Sequence, residues 1–135
     1  MRLVLDTNVL LAAFIARGVC HELLEHCEQE HELVTSAFIL GEFQEKLVAK
    51  FKVPEPRARA AQHLIRSRSE VVEPVALAES VSRDPDDDWV VATAVAGRCA
   101  CIVTGDKDLL SLNEYSGIQI VAPRDFWRYE ASQSG

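Results

Sequence analysis

No apolar run in the chain approaches the roughly 20 residues needed to cross a bilayer. Nor is there a basic leader followed by an apolar stretch and a small-residue cleavage site. The expected address is therefore the cytoplasm, with no membrane partner. Repeats, low-complexity tracts and interdomain linkers are also missing, which leaves a single domain over residues 1–135 with one core. Cysteine is scarce: Cys20, Cys27, Cys99 and Cys101 are the only four, and a cytoplasmic chain keeps them reduced. Cys99 and Cys101 alternate along a predicted strand, so they share a face and do not pair. The tight Cys pairs of a zinc loop are absent too. Cys20, His21, His26, Cys27 and His31 are close in sequence, but Cys20, Leu24, Cys27 and His31 fall on one helical face. There Cys serves as a small hydrophobe, so the group reads as packing.

Positive charge is in deficit. The net charge of −7 argues against nucleic-acid binding as a bulk property. Its distribution is uneven, however. Lys46, Lys50, Lys52, Arg57, Arg59, Arg66 and Arg68 face one acid, Glu55, so residues 46–68 carry +6 and the rest of the chain −13.

What is present is a globular composition, 48% hydrophobic, and a stretch on which the rest is organised, Arg2 to Leu11. Leu3, Val4 and Leu5 form a short apolar run, as in a strand buried on both faces. Asp6, Thr7 and Asn8 end it. Asn8 is the expected N-cap of a helix whose apolar residues are Val9, Leu10, Leu11, Phe14 and Ile15. Asp6 then stands at the carboxyl end of a strand, where open α/β sheets bind ligands; capping the turn is the competing role.

The pattern continues with a helix from Val19 to Glu30, a strand from Glu32 to Thr35, and a helix capped by Ser36 that runs to about Lys50 and holds Glu42. A mid-helix glutamate is ordinarily solvated. Pro54 and Pro56 open a basic helix to Arg68. Val71, Val72, Val75 and Leu77 suggest a third strand and its exit. Asp84 to Asp88 precede a helix closed by Gly97, and Ala100 to Thr104 form a strand ending in Gly105-Asp106-Lys107-Asp108. Ile118 to Val121 is the last strand, and Pro123 starts a terminal helix with Phe126 and Trp127. Strands alternating with helices predict a mainly parallel α/β sheet.

Asp6 and Asp106 each follow a short apolar strand, so both carboxylates belong at one sheet edge if those strands are central. The acids at 86–88 sit at a helix N-terminus, where the dipole favours ionised carboxylates; capping alone is the plainer reading. Carboxylates brought together repel and hold protons more tightly. An oxygen-only donor set suits Mg²⁺ or Mn²⁺, ions able to activate water at a phosphodiester.

Taken in order, Leu-Val-Leu-Asp6-Thr7-Asn8-Val, Glu42 in a helix, Asp88-Trp-Val-Val-Ala-Thr-Ala and Val103-Thr104-Gly105-Asp106-Lys-Asp108-Leu-Leu resemble the PIN-domain family. The resemblance is strongest to its VapC-like branch of bacterial toxin–antitoxin ribonucleases. It implies a Rossmann-like three-layer fold with a central, mainly parallel sheet flanked by helices, and a metal-dependent endoribonuclease. Asp6, Glu42, Asp88 and Asp106 match the four acids that would hold Mg²⁺ or Mn²⁺, with Asp87 an alternative to Asp88 and Asp108 to Asp106. Asn8 and Thr104 match the supporting polar positions. RNA as substrate, a cognate antitoxin and a homodimer are further implications.

Three rival readings compete. A haloacid-dehalogenase-like phosphatase would want an Asp where Asn8 stands. A receiver domain would want an acidic pair after the first strand and a phosphoacceptor Asp near mid-chain, where only Val53-Pro-Glu55-Pro occurs. A PIN-like nuclease of general RNA processing, or a PIN module that only binds, stays open.

A chain at −7 with an acidic site needs a local source of cations to approach RNA, and Lys46, Lys50, Lys52, Arg57 and Arg59 supply it. Reversing Lys50, Lys52, Arg57 and Arg59 to Glu is expected to weaken RNA binding. It should also flatten the plot of log affinity against log salt by about 0.7 per lost phosphate contact. Filter binding across a salt series checks this; an unchanged slope would place the RNA on another face.

Overall fold

Residues 1–133 are described by a computed structural model. The strands are β1 (Arg2–Leu5), β2 (Glu32–Ser36), β3 (Ser69–Val72), β4 (Cys101–Val103), β5 (Glu114–Tyr115) and β6 (Ile118–Val121). The helices are α1 (Thr7–Ile15), α2 (Val19–Glu30), α3 (Ala37–Ala49), α4 (Glu55–Ser67), α5 (Pro85–Ala96), α6 (Lys107–Leu112) and α7 (Phe126–Gln133), the last entered through a 3-10 turn at Pro123–Asp125. The strands form one sheet in the order β3-β2-β1-β4-β6-β5. Every pairing is parallel except that of β5 with β6. Helices flank the sheet, so the Rossmann-like three-layer α/β architecture is the one found. No single helix among the described residues is long and apolar enough to cross a membrane.

Burial follows position in the sheet. Leu3, Val4 and Leu5 of β1 and all of β4 are buried, as expected of central parallel strands covered on both faces. No residue of the edge strand β3 is buried. It spans Ser69–Val72, so Val75 and Leu77 lie beyond it, and Val75 is 79% exposed. Both strands stop together, since β2 ends at Ser36 opposite Val72, and Val75 and Leu77 belong to the exit from β3. The short β5 was not anticipated. Ser116 and Gly117 both have positive φ, 48° and 85°, the signature of a two-residue hairpin turn that folds β5 back on β6.

Two starts differ from expectation. The N-cap of α1 is Asp6, whose side chain accepts from the Thr7 amide, and Asn8 lies inside the helix with its side chain exposed. The helix begins at Thr7, directly after β1, so the position before its first residue falls to Asp6. Cys99 lies ahead of β4 rather than in it. All four cysteines are free thiols.

Helix α5 packs against β1, β2 and β4 through small side chains, and its end is tight. A Cβ built on Gly97 would lie 2.5 Å from Val34 Cγ1 and 3.2 Å from Cys99 Sγ. Val34 is buried in β2 and has little room to yield. Gly97→Ala is expected to destabilise the fold by about 1–3 kcal/mol through overpacking. Urea unfolding measures it, and unchanged stability would show that Val34 repacks freely.

Candidate active site

Strands β1 and β4 lie side by side with Leu5 opposite Val103, and the order reverses between them: β1 leads to β2 and β3 on one side, β4 to β6 on the other. This is the switch point where α/β sheets form a crevice beyond their carboxyl ends. Asp6 leaves β1 at that edge, and its amide donates to the Val103 carbonyl at 3.0 Å. Its carboxylate is buried, 5% exposed. Oδ1 accepts from the Thr7 amide at 2.6 Å, and Oδ2 accepts from the Thr104 hydroxyl at 2.6 Å. The Thr104 oxygen in turn accepts from the Asp106 amide at 3.0 Å. One threonine therefore fixes both acids that end the central strands.

Asp106 caps α6. Its Oδ1 accepts from the amides of Asp108 and Leu109, at 2.8 and 3.2 Å, and among the described residues Oδ2 has no hydrogen-bond donor. Asp87, Asp106 and Asp108 can each present an oxygen within 4.8 Å of the others. Glu42 is half-buried on α3, with Lys46 Nζ 3.9 Å from its Oε2 one turn later.

Within 86–88 the structure turns Asp87, the alternative to Asp88, inward. Asp87 is the buried acid, 6% exposed, and its Oδ2 accepts from the Ser82 hydroxyl at 2.8 Å. Asp88 points away from the other acids. Its Oδ1 accepts from the amides of Val81 and Ser82, at 2.9 and 3.2 Å, and its Oδ2 from the Ser80 hydroxyl at 2.8 Å. It pins the loop before α5. The helical period is the reason: Asp87 precedes the buried Val90, Val91 and Ala94 by three, four and seven residues, the spacing of one helical face.

The acids raise one another's proton affinity. Burial pushes the Asp6 carboxyl up and Asp106 adds to it, while the Thr104 and Thr7 hydrogen bonds and Lys46 oppose. Burial also raises Glu42, against the Thr7 hydroxyl and Lys46, with Asp86 adding to the rise. Asp87 is pushed up to about 6, first by burial, then by Asp106, Asp84 and Asp6, against the Ser82 hydrogen bond. The sequence reading gave no weight to the proximity of Asp86 and Glu42, to Thr7, or to the serines of the 80–82 loop. Counting the stripe backward from Val90 would have found Asp87.

Two cations answer this charge: Lys46 beside Glu42, and Arg83, whose Nη2 donates to Asp108 Oδ1 at 3.2 Å. Of the expected RNA-binding set, Lys46 alone is near the acids. Lys50 lies two helical turns beyond Glu42, about 12 Å along the axis, with Nζ 5.6 Å from the centre of the Phe51 ring. Lys52 donates to the Ala49 carbonyl, Arg57 lies over Phe14, and Arg59 pairs with Glu55. The donors that converge are all oxygens, and they carry more negative charge than the neighbouring cations offset. Such a set fits a hard divalent ion.

Residues 2–108 match the PIN domain family, and the chain belongs to it. No curated protein matches the sequence. Among solved structures the fold is similar to that of VapBC2 from Rickettsia felis, determined bound to a DNA fragment from its promoter. The TM-score is 0.64 and the identity 16%, over 90% of this chain and 98% of that one. It is similar to VapBC-1 from nontypeable Haemophilus influenzae, with TM-score 0.64 and 16% identity over 92% and 99% of the two chains. It also resembles VapC20 from Mycobacterium tuberculosis, a toxin that cleaves the sarcin–ricin loop, with TM-score 0.57 and 17% identity over 87% and 98%. At these identities the likeness is one of fold, and the fold is VapC-like.

The raised Asp87 carboxyl carries a sign. The folded state holds the proton more tightly than the unfolded chain, so the metal-free protein is expected to gain stability as pH falls from about 6 toward about 4. Asp87→Asn should be more stable at pH 7 and show a shallower pH dependence. Asp88→Asn should keep the wild-type slope. Thermal unfolding across this pH range checks both, and matching slopes for the two variants would contradict the placement of Asp87.

Proposed function

We infer that this chain is a Mg²⁺- or Mn²⁺-dependent endoribonuclease, a single PIN-like domain over residues 1–135 that hydrolyses RNA phosphodiester bonds as the toxin of a toxin–antitoxin pair. One observation carries the reading: Asp6, Asp87 and Asp106 converge at the switch point, Asp6 and Asp87 with carboxyls raised by burial and by neighbouring acids, and with few cations nearby. Asp6, Glu42, Asp87 and Asp106 would hold the ion, with Asp108 at the margin. Bound there, it supplies activation of water and neutralisation of charge developing on the phosphodiester.

The chain's own contribution is positional. Thr104 and Thr7 aim Asp6, Ser82 orients Asp87, and the α6 amides hold Asp106 in place. Asp88 holds the 80–82 loop so that Ser82 stays in place. Lys46 offers a phosphate its nearest protein cation, and the basic segment through Arg59 guides the strand toward it. Membership of the PIN family and the likeness to VapBC structures support a cognate antitoxin, a homodimer and a cytoplasmic setting. An antitoxin that docks near the acids and supplies a cation would offset the same charge as the metal.

Asp6→Asn preserves shape and removes charge. The fold is expected to survive while RNA cleavage falls by about a hundredfold or more. Chelation should abolish wild-type cleavage and added Mn²⁺ restore it. Single-turnover cleavage of an RNA that the wild type cuts is the assay; full activity of Asp6→Asn, or cleavage indifferent to chelation, would sink the assignment.

A further inference from the structure

At the opposite edge of the sheet three side chains from separate elements meet. His26 lies in the last turns of α2, His31 follows that helix where the chain turns into β2, and Glu130 comes from α7, 99 residues further on. We propose that His26, His31 and Glu130 form a transition-metal site, and that it takes Zn²⁺.

Both imidazoles aim the same atom at the same point. His26 Nε2 lies 2.6 Å and His31 Nε2 2.5 Å from one oxygen, Glu130 Oε2. The three ligating atoms lie within 4.8 Å of one another. His31 Nδ1 meets the Met1 nitrogen at 3.0 Å, which fixes the ring with Nε2 turned to Glu130. Two imidazole nitrogens and one carboxylate are a donor set suited to Zn²⁺, with a water as fourth ligand. Without an ion, each Nε2–H donates to Glu130. With one, His26 shifts its ring proton from Nε2 to Nδ1, while His31 takes up on Nδ1 the proton it shares with the Met1 nitrogen and releases its Nε2 proton to water. Both Nε2 lone pairs then bind, one proton is released, and acid opposes uptake. Ligands on a tetrahedral ion with bonds of about 2.0 Å stand about 3.3 Å apart, so Glu130 must retreat by less than an ångström.

The surroundings fit as well. Side-chain exposures of 28% for His26, 11% for His31 and 26% for Glu130 leave an entry path. The rings of Trp127 and Phe126 lie 4.7 and 6.5 Å from that of His26 and screen the site on one side. His21, the other histidine of this helix, is held by Ala13 and Glu25 and plays no part. The nitrogen donors separate this site from the all-oxygen acids at the other edge. Its effect is to clamp α7 to the start of β2.

The test is equilibrium dialysis of the full chain against Zn²⁺ in excess Mg²⁺, with bound zinc counted by elemental mass spectrometry. Wild type and Asp106→Asn are expected to retain one equivalent. His26→Asn and Glu130→Gln should each weaken retention by about a hundredfold or more. Far-UV circular dichroism checks that the variants are folded; His26, the more exposed ring, keeps the test intact if Glu130→Gln is not. The proposal is overturned by a wild type that retains no zinc, by equal retention in a folded His26→Asn, or by retention that is lost in Asp106→Asn.

Discussion

The hydroxyl of Thr104 is the contact on which the acidic edge depends. It donates to Asp6 and accepts from the Asp106 amide, so one oxygen joins the ends of the two central strands. The arrangement requires β1 and β4 to be neighbours in parallel register, Leu5 against Val103. That register follows from the unbroken apolar runs, which bury both faces and leave nothing polar until Asp6 and Thr104. Core packing thus holds two carboxylates at a spacing where they repel.

The same edge is electrostatically unfavourable in the chain alone. Asp87 occupies a position on the core stripe of α5 that an apolar residue would fill at less cost, and the neighbouring acids add to the penalty. Lys46 and Arg83 offset part of it. Proteins keep such conflicts where function needs them. Here a divalent ion or a partner's cation would relieve the conflict, which is the physical content of the nuclease reading. Binding there is linked to stability through the acids themselves.

The fold was legible because its central strands are short apolar runs ended by Asp6 and Thr104, and because its helices carry clear stripes. Position in the sheet could be read for β1 and β4, while β3 and β5 could not be read well. Edge strands bury little, so the boundary between β3 and its exit was left open from Val72 to Leu77 and the Ser116-Gly117 turn went unremarked. Within the site, Asp6 and Asp106 were proposed from the ends of apolar strands, and Glu42 and Thr104 from the resemblance to PIN-like motifs. Asp88 was chosen over Asp87 because the motif was read by its order along the chain. The helical phase set by Val90, Val91 and Ala94 decides otherwise. Asn8 was misjudged as the cap because the helix begins one residue earlier, at Thr7, with Asp6 before it. The meeting of His31 with Glu130 spans 99 residues, and nothing local encodes it.

Anomalous diffraction from crystals soaked in Mn²⁺ tests the central claim most directly. The account predicts an ion at the carboxyl edge of β1 and β4, contacted by Asp6, Asp87 and Asp106, with Asp88 still bonded to the 80–82 loop. An ion seated on Asp88 instead, or no ion at that edge, would contradict it.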